Sequence, residues 1–276
     1  LMSMKNKPQP ETIAKAVGSR PFPWLAGLVF GMALVGIVLA AGALTARPAA
    51  TNPEAKRKAV VVELFTSEGC SSCPPADTLL AELQRQGQQN GAEIIPLGFH
   101  VDYWNYLGWQ DRFSSSAYSR RQENYARGFL LDGPYTPQMV IDGQRQFTGS
   151  DSRRAREAIA QEAAEPQRAE VQLSFAAPDR LLVSASGENT AEVKLAITED
   201  NLASNVGGGE NNGRMLRHTA VVRDFRTLGK LTKSGFRAEV PLTLPREWKS
   251  KDLRFVVFIQ QPSGRIDAAA SLSGVR

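Results

Sequence analysis

Two cysteines, Cys70 and Cys73, are the only ones in the chain, and they stand two residues apart. An apolar run, Val60-Val61-Val62-Glu63-Leu64-Phe65, precedes them, and a helix-like segment beginning Pro74-Pro75-Ala76-Asp77 follows. The spacing C-x-x-C at a strand-to-helix junction suits thiol chemistry. A helix N-terminus offers free N–H groups and the positive end of a dipole. Both favour the thiolate, which is the nucleophile and the metal ligand. Three uses remain open: a redox dithiol, a structural disulfide and a metal site. A disulfide closing a loop of about four residues stabilises by only about 2 kcal/mol, against nearly 5 for about a hundred residues. Stapling is therefore a poor use of these positions. A zinc site normally needs four ligands, and His100 and His218 are the only histidines to complete one.

The chain that must position this pair has 276 residues and is 42% apolar, which predicts two domains with ordinary cores. The net charge is +5, but residues 1–46 concentrate Lys5, Lys7, Lys15 and Arg20 against Glu11 alone. The remainder is nearly balanced and has no basic stripe, so nucleic acid is not an expected partner. Residues 21–46 carry no charge and are long enough to span a bilayer, which takes about 20 apolar residues. Positive charge before that stretch predicts a cytoplasmic N-terminus and an exported remainder. The expected order is a leader over 1–22, a transmembrane anchor or signal segment over 23–46 and a linker over 47–58. A signal peptide cut after Ala41-Gly42-Ala43 is the alternative to an uncleaved anchor. Either places the cysteines in an oxidising compartment, on the inner membrane facing the periplasm or free in the periplasm or medium.

From residue 59 to about 165 the pattern predicts strand, helix, strand, helix, a hairpin about Asp142-Gly143 and a third helix, an α/β unit. Pro96, inside the second predicted strand, suggests an edge or a bulge. From 167 to 276 the period changes to two, with short strands and no convincing helix, which reads as an all-β sandwich. The glycine-rich stretch 207–213 lacks a phosphate-loop signature. It reads either as a flexible connection or as a contact loop to a partner or a neighbouring domain.

The run Glu63-Leu64-Phe65-Thr66-Ser67-Glu68-Gly69-Cys70-Ser71-Ser72-Cys73-Pro74-Pro75-Ala76-Asp77, with His100-Val101-Asp102-Tyr103-Trp104 and Gly209-Glu210-Asn211-Asn212-Gly213-Arg214, resembles a thioredoxin-like family of secreted bacterial proteins of unknown function. The resemblance implies an α/β thioredoxin-like domain over 59–165 followed by an all-β sandwich-like domain over 167–276. It implies a cis bond at Thr136–Pro137 facing the dithiol. It makes Cys70 the exposed attacking thiol and Cys73 the buried resolving one. Glu63 then stands near the position of a buried proton acceptor, with a solvent-facing strand residue as the alternative. Thr136 and Trp104 become candidate substrate contacts, and His100 either tunes Cys70, binds metal or is a core residue.

The expected function is an exported thiol–disulfide oxidoreductase acting through Cys70 and Cys73 on protein thiols or disulfides, with a membrane reductase or oxidase as a further partner and no cofactor. The alternatives are a copper(I)-binding or delivery protein using both thiolates and His100, and a thioredoxin-like binding module whose dithiol is only structural.

Overall fold

A computed structural model describes residues 58–274. The leader, the apolar segment and all of the linker except Lys58 lie outside the described residues. Among the described residues no helix is long and apolar enough to cross a membrane.

Among the described residues, fourteen strands and three α-helices run in the order β1 (Ala59–Thr66), α1 (Pro74–Gln86), β2 (Gln88–Gln89), β3 (Ala92–His100), α2 (Ser116–Gly128), β4 (Gln138–Ile141), β5 (Arg145–Thr148), α3 (Ser152–Ala164), β6 (Ala169–Ala177), β7 (Arg180–Gly187), β8 (Ala191–Glu199), β9 (Leu202–Asn205), β10 (Met215–His218), β11 (Val221–Leu231), β12 (Phe236–Pro241), β13 (Leu253–Gln260) and β14 (Ile266–Ser273). The main sheet is mixed and nine-stranded, ordered β14-β13-β8-β11-β3-β1-β4-β5, with β2 beside β3.

This overturns the expectation of an α/β thioredoxin-like domain followed by a separate all-β sandwich. The fold is mostly β, and strands from both halves of the sequence share one sheet. The seam is β11 against β3, where Val221 pairs with Gly98 and the Gly98 N–H donates to the Ala220 carbonyl at 2.8 Å. A Cβ on Gly98 would stand 3.3 Å from the Thr219 carbonyl oxygen, so the residue allows the close approach. Pro96 is at neither an edge nor a bulge. Its strand lies between β1 and β11, but β11 meets β3 at a single register pair, so the ladder beside Pro96 is short.

Alternation along β1 divides the apolar residues between two cores. Val60, Val62 and Leu64 pack with Leu79, Leu80 and Leu83 of α1 and Ile159 of α3. Val61 and Phe65 face the other way, with Phe99, Tyr118 and Tyr125 of α2, and Phe258. Both faces being covered explains the near-continuous apolar run. Each fully buried side chain of this kind is worth roughly 1.5–3 kcal/mol. A third core lies between the sheet β12-β7-β6 and the outer strands of the main sheet, joining Leu181 and Val183 to Leu195, Phe255 and Val257. Two sheets do face each other there, but one of them is the main sheet itself.

Helix α1 begins at the cysteine pair. Cys73 is its N-cap residue, and Pro74 and Pro75 occupy its first turn, where a missing N–H costs nothing. Gly87 ends it in the left-handed region at φ 66°, its N–H donating to the Leu83 carbonyl at 3.1 Å.

Candidate functional site

Residues 67–72 form the turn between β1 and α1. Cys70 and Cys73 are joined by a disulfide, with their Cα atoms 5.5 Å apart. Ser71 and Ser72 are exposed, yet both cysteines have 0% exposed surface. The expectation of an exposed Cys70 is therefore corrected. The turn is roofed by residues far away in the sequence.

The roof is the glycine-rich loop 207–213. The Asn211 side-chain N–H₂ donates to the Glu68 and Cys70 carbonyls, both at 2.9 Å. Asn211 is itself held by Arg214, which donates to its Oδ1 at 2.6 Å. The Glu210 carboxylate accepts from the Ser71 N–H at 2.8 Å and from the Ser71 hydroxyl at 2.7 Å. Those bonds hold the Glu210 carboxyl below its usual range. A Cβ on Gly208 would lie 2.7 Å from the Gly108 carbonyl oxygen, so this stretch packs too closely for a larger residue. The loop makes contacts, as the second reading expects, but they are to the disulfide turn within the same fold and not to a separate domain.

Beneath the turn lies a buried cluster of charge. Glu68, with 0% exposed surface, accepts from Trp109 Nε1 at 2.7 Å and pairs with His218 Nε2 at 3.0 Å. Burial pushes the Glu68 carboxyl up, but the bonds from His218 and Trp109 outweigh it and the net shift is downward. His100 Nδ1 pairs with Asp111 Oδ2 at 2.7 Å, and the same oxygen accepts the Glu68 backbone N–H at 2.9 Å. For His100, burial lowers the pKa, but the Asp111 charge and hydrogen bond raise it further, and the net shift is upward. For Asp111, burial raises the pKa and His100 more than offsets it, so the net shift is downward. The two imidazoles meet edge to face with centroids 4.9 Å apart. Both histidines are thus engaged by carboxylates. Among the described residues no group of three or more His, Cys, Asp and Glu stands in a metal-binding arrangement.

A model of a protein family of unknown function, DUF1223, matches residues 61–260. This chain belongs to the DUF1223 family. A crystal structure of an Agrobacterium tumefaciens protein is similar at 30% identity and a TM-score of 0.65, covering 79% of this chain and 95% of that one. HBP35 of Porphyromonas gingivalis is similar in fold, at 16% identity and a TM-score of 0.50, over 79% of this chain and 75% of that one. No curated protein matches the chain.

Of the residues singled out from sequence in this DUF1223 chain, some converge and one does not. Trp104 Nε1 donates to Thr136 Oγ1 at 2.7 Å, and Trp104 Cβ would lie 3.1 Å from a Cβ on Gly69, the residue before Cys70. The Thr136–Pro137 bond is cis. Pro137 and Ala76 of α1 both border Gly149, each 3.1 Å from a Cβ placed there, so Pro137 lies beside the first turn of the helix that Cys73 caps. Glu63 is elsewhere. It shares the sheet face of Val61 and Phe65, opposite α1, and pairs with Arg121 at 2.5 and 2.9 Å and with the Tyr125 hydroxyl at 2.6 Å. Arg121 also donates to Gln260 Oε1 at 3.0 Å and lies 4.7 Å over the Phe225 ring. The parity of β1 sets this: Glu63 lies between Val62 and Leu64, which face α1.

Sequence reasoning missed Asp111, Asn211 and the joining of His100 to His218. One signal was available, since the two histidines are the only ones in the chain. A cleft of about 830 Å³ lies on the α2 side, bordered by Arg120, Arg121, Arg127 and Lys194. It includes no residue of the disulfide turn.

Proposed function

We propose that this protein is an exported thiol–disulfide oxidoreductase that acts on protein thiols or disulfides through Cys70 and Cys73. The observation that carries the reading is the disulfide at the N-terminus of α1, set over a buried wall of carboxylates and histidines. A disulfide with no chemical role needs no ionisable groups behind it, and burying them costs free energy. Perturbed groups gathered around a reactive pair are the usual mark of a functional site. In this reading Trp104, Thr136 and Pro137 form the wall beside the turn where a substrate chain lies. Export follows from the charge-free segment over 23–46. An anchored protein would exchange electrons with a membrane reductase or oxidase.

The complete burial of both cysteines favours a second reading, in which the disulfide only braces the turn and the protein is a binding module. One set of experiments separates the two. The oxidoreductase reading expects a reversible two-electron redox titration, and a Cys73→Ser variant that accumulates mixed disulfides on Cys70. A disulfide that resists reduction until the protein unfolds, with no adduct on that variant, would select the brace.

A further inference from the structure

We propose that the cleft beside α2 binds a small, elongated organic anion carrying two carboxylate or phosphate groups. The site is separate from the disulfide turn, so the proposal does not depend on the oxidoreductase reading. The sequence of α2 prepares it. Ala117, Arg120, Asn124 and Arg127 follow at steps of three and four, which places them along one face of the helix. All three arginines of α2 border the cleft, and Glu123, the only acidic residue of the helix, does not. Beyond α2 the cleft is lined from the β4–β5 hairpin, β8, β11, and β13 with the turn after it. Its volume of about 830 Å³ lies within the range of small-ligand sites, about 300–1,000 Å³.

The four cations of the cleft are not equivalent. Arg121 is committed to the fold. It is buried, pairs with Glu63 at 2.5 and 2.9 Å and lies 4.7 Å over the Phe225 ring. Lys194 Nζ stands 5.7 Å from the same ring and 2.6 Å from Glu192, the one carboxylate lining the cleft. Arg120 and Arg127 are exposed and donate to neutral groups of their own helix, the Ser116 hydroxyl at 3.1 Å and the Asn124 side-chain oxygen. Neither bond supplies a counter-charge. Two guanidinium groups on one wall are therefore open to an anion.

The planar fork of arginine matches carboxylate and phosphate oxygens. Seven residues of helix separate the two arginines by about 10 Å along its axis. That spacing suits two anionic groups on one elongated molecule better than a single compact ion. Half-buried Phe129 and Phe225 border the same space and suit an apolar middle. The wall is also fixed before any ligand arrives. Arg121 donates to Gln260 at 3.0 Å and to the Tyr125 hydroxyl at 3.1 Å, and Gln260 donates to that hydroxyl at 2.8 Å. A wall held this way loses little freedom on binding.

The test titrates the full chain by calorimetry with two probes, decanedioate and hexane-1,6-diyl bisphosphate. Saturable binding of either is expected, weakening with added salt, and the tighter probe assigns the anionic group. Combining Arg120→Gln with Arg127→Gln is expected to weaken binding by roughly 10–100-fold. The melting temperature should hold, since both side chains are exposed. Decanoate, with a single carboxylate, is expected to bind at least about tenfold more weakly than decanedioate. Equal affinity for decanoate, or affinity indifferent to the two substitutions, overturns the assignment. So does binding of neither probe, or of hexaglutamate alone, which would make the face a surface for an acidic peptide. If the doubly substituted chain does not fold, phenylglyoxal modification of the unaltered chain serves instead. Protection of Arg120 and Arg127 by the bound probe supports the site, and modification rates indifferent to the probe overturn it.

Discussion

The Glu210 carboxylate accepts both the N–H and the hydroxyl of Ser71, at 2.8 and 2.7 Å, across 139 residues of sequence. Ser71 lies between the two cysteines, so this contact ties the exposed part of the disulfide turn to the second half of the chain. Removing it should loosen the turn. Glu210→Ala is expected to speed reduction of the disulfide by dithiothreitol a few-fold, with little change in melting temperature. An unchanged rate would show that the contact does not limit access to Cys70.

Asn211 serves the same roof from inside. Its side chain, with 0% exposed surface, bridges the Glu68 and Cys70 carbonyls. Asn211→Ala leaves both carbonyls without that partner, at a cost of about 1–3 kcal/mol for a buried polar group. Urea unfolding should give that loss, together with faster alkylation of Cys70 in the reduced protein. Stability equal to wild type would mean that water takes over the bridge.

Glu63 should matter for stability and not for exchange. Glu63→Gln leaves the buried Arg121 guanidinium without its counter-charge, a change worth about 3–5 kcal/mol when one partner of a buried pair is lost. The melting temperature should drop steeply, while the pH dependence of disulfide reduction stays as in wild type. A shifted pH profile would return Glu63 to the proton chemistry from which its sheet face removes it.

Asp142 sets a pH dependence of its own. Burial pushes its carboxyl from 3.8 up to about 7, although the Val61 N–H, at 2.8 Å, and the charge of Lys58 pull it down. The folded state therefore keeps a proton that the unfolded chain releases near 3.8. Asp142 therefore supports folding fully below about 3.8, and that support is lost as pH rises to about 7. Asp142→Asn should flatten the fall in stability over this interval and leave the variant relatively more stable at pH 8. Parallel stability–pH curves for the two proteins would contradict it.

The local pieces were legible in the chain. The C-x-x-C motif announced a strand-to-helix junction because Pro74 and Pro75 can begin a helix and the apolar run before them cannot be solvent-facing. The hairpin at Asp142-Gly143 and the cis bond at Thr136–Pro137 also stand where residue type and resemblance put them. These depend on neighbours in sequence, whose preferences are set by backbone sterics.

Whatever depends on pairing over long range was decided by tertiary structure. The period-two strands after residue 167 signal β structure but carry no address for their partners. Nothing in Val221 says that it will join Gly98 and merge two expected domains into one sheet. The side of β1 that Glu63 takes follows from which neighbours α1 buries. The disulfide's surroundings, with Glu68 on His218, Asn211 on Cys70 and Glu210 on Ser71, exist only because β10 and the 207–213 loop return to the start of α1. Composition and periodicity are properties of a segment. A buried ion pair or a roofed disulfide is a property of two segments at once, and only the closed fold brings them together.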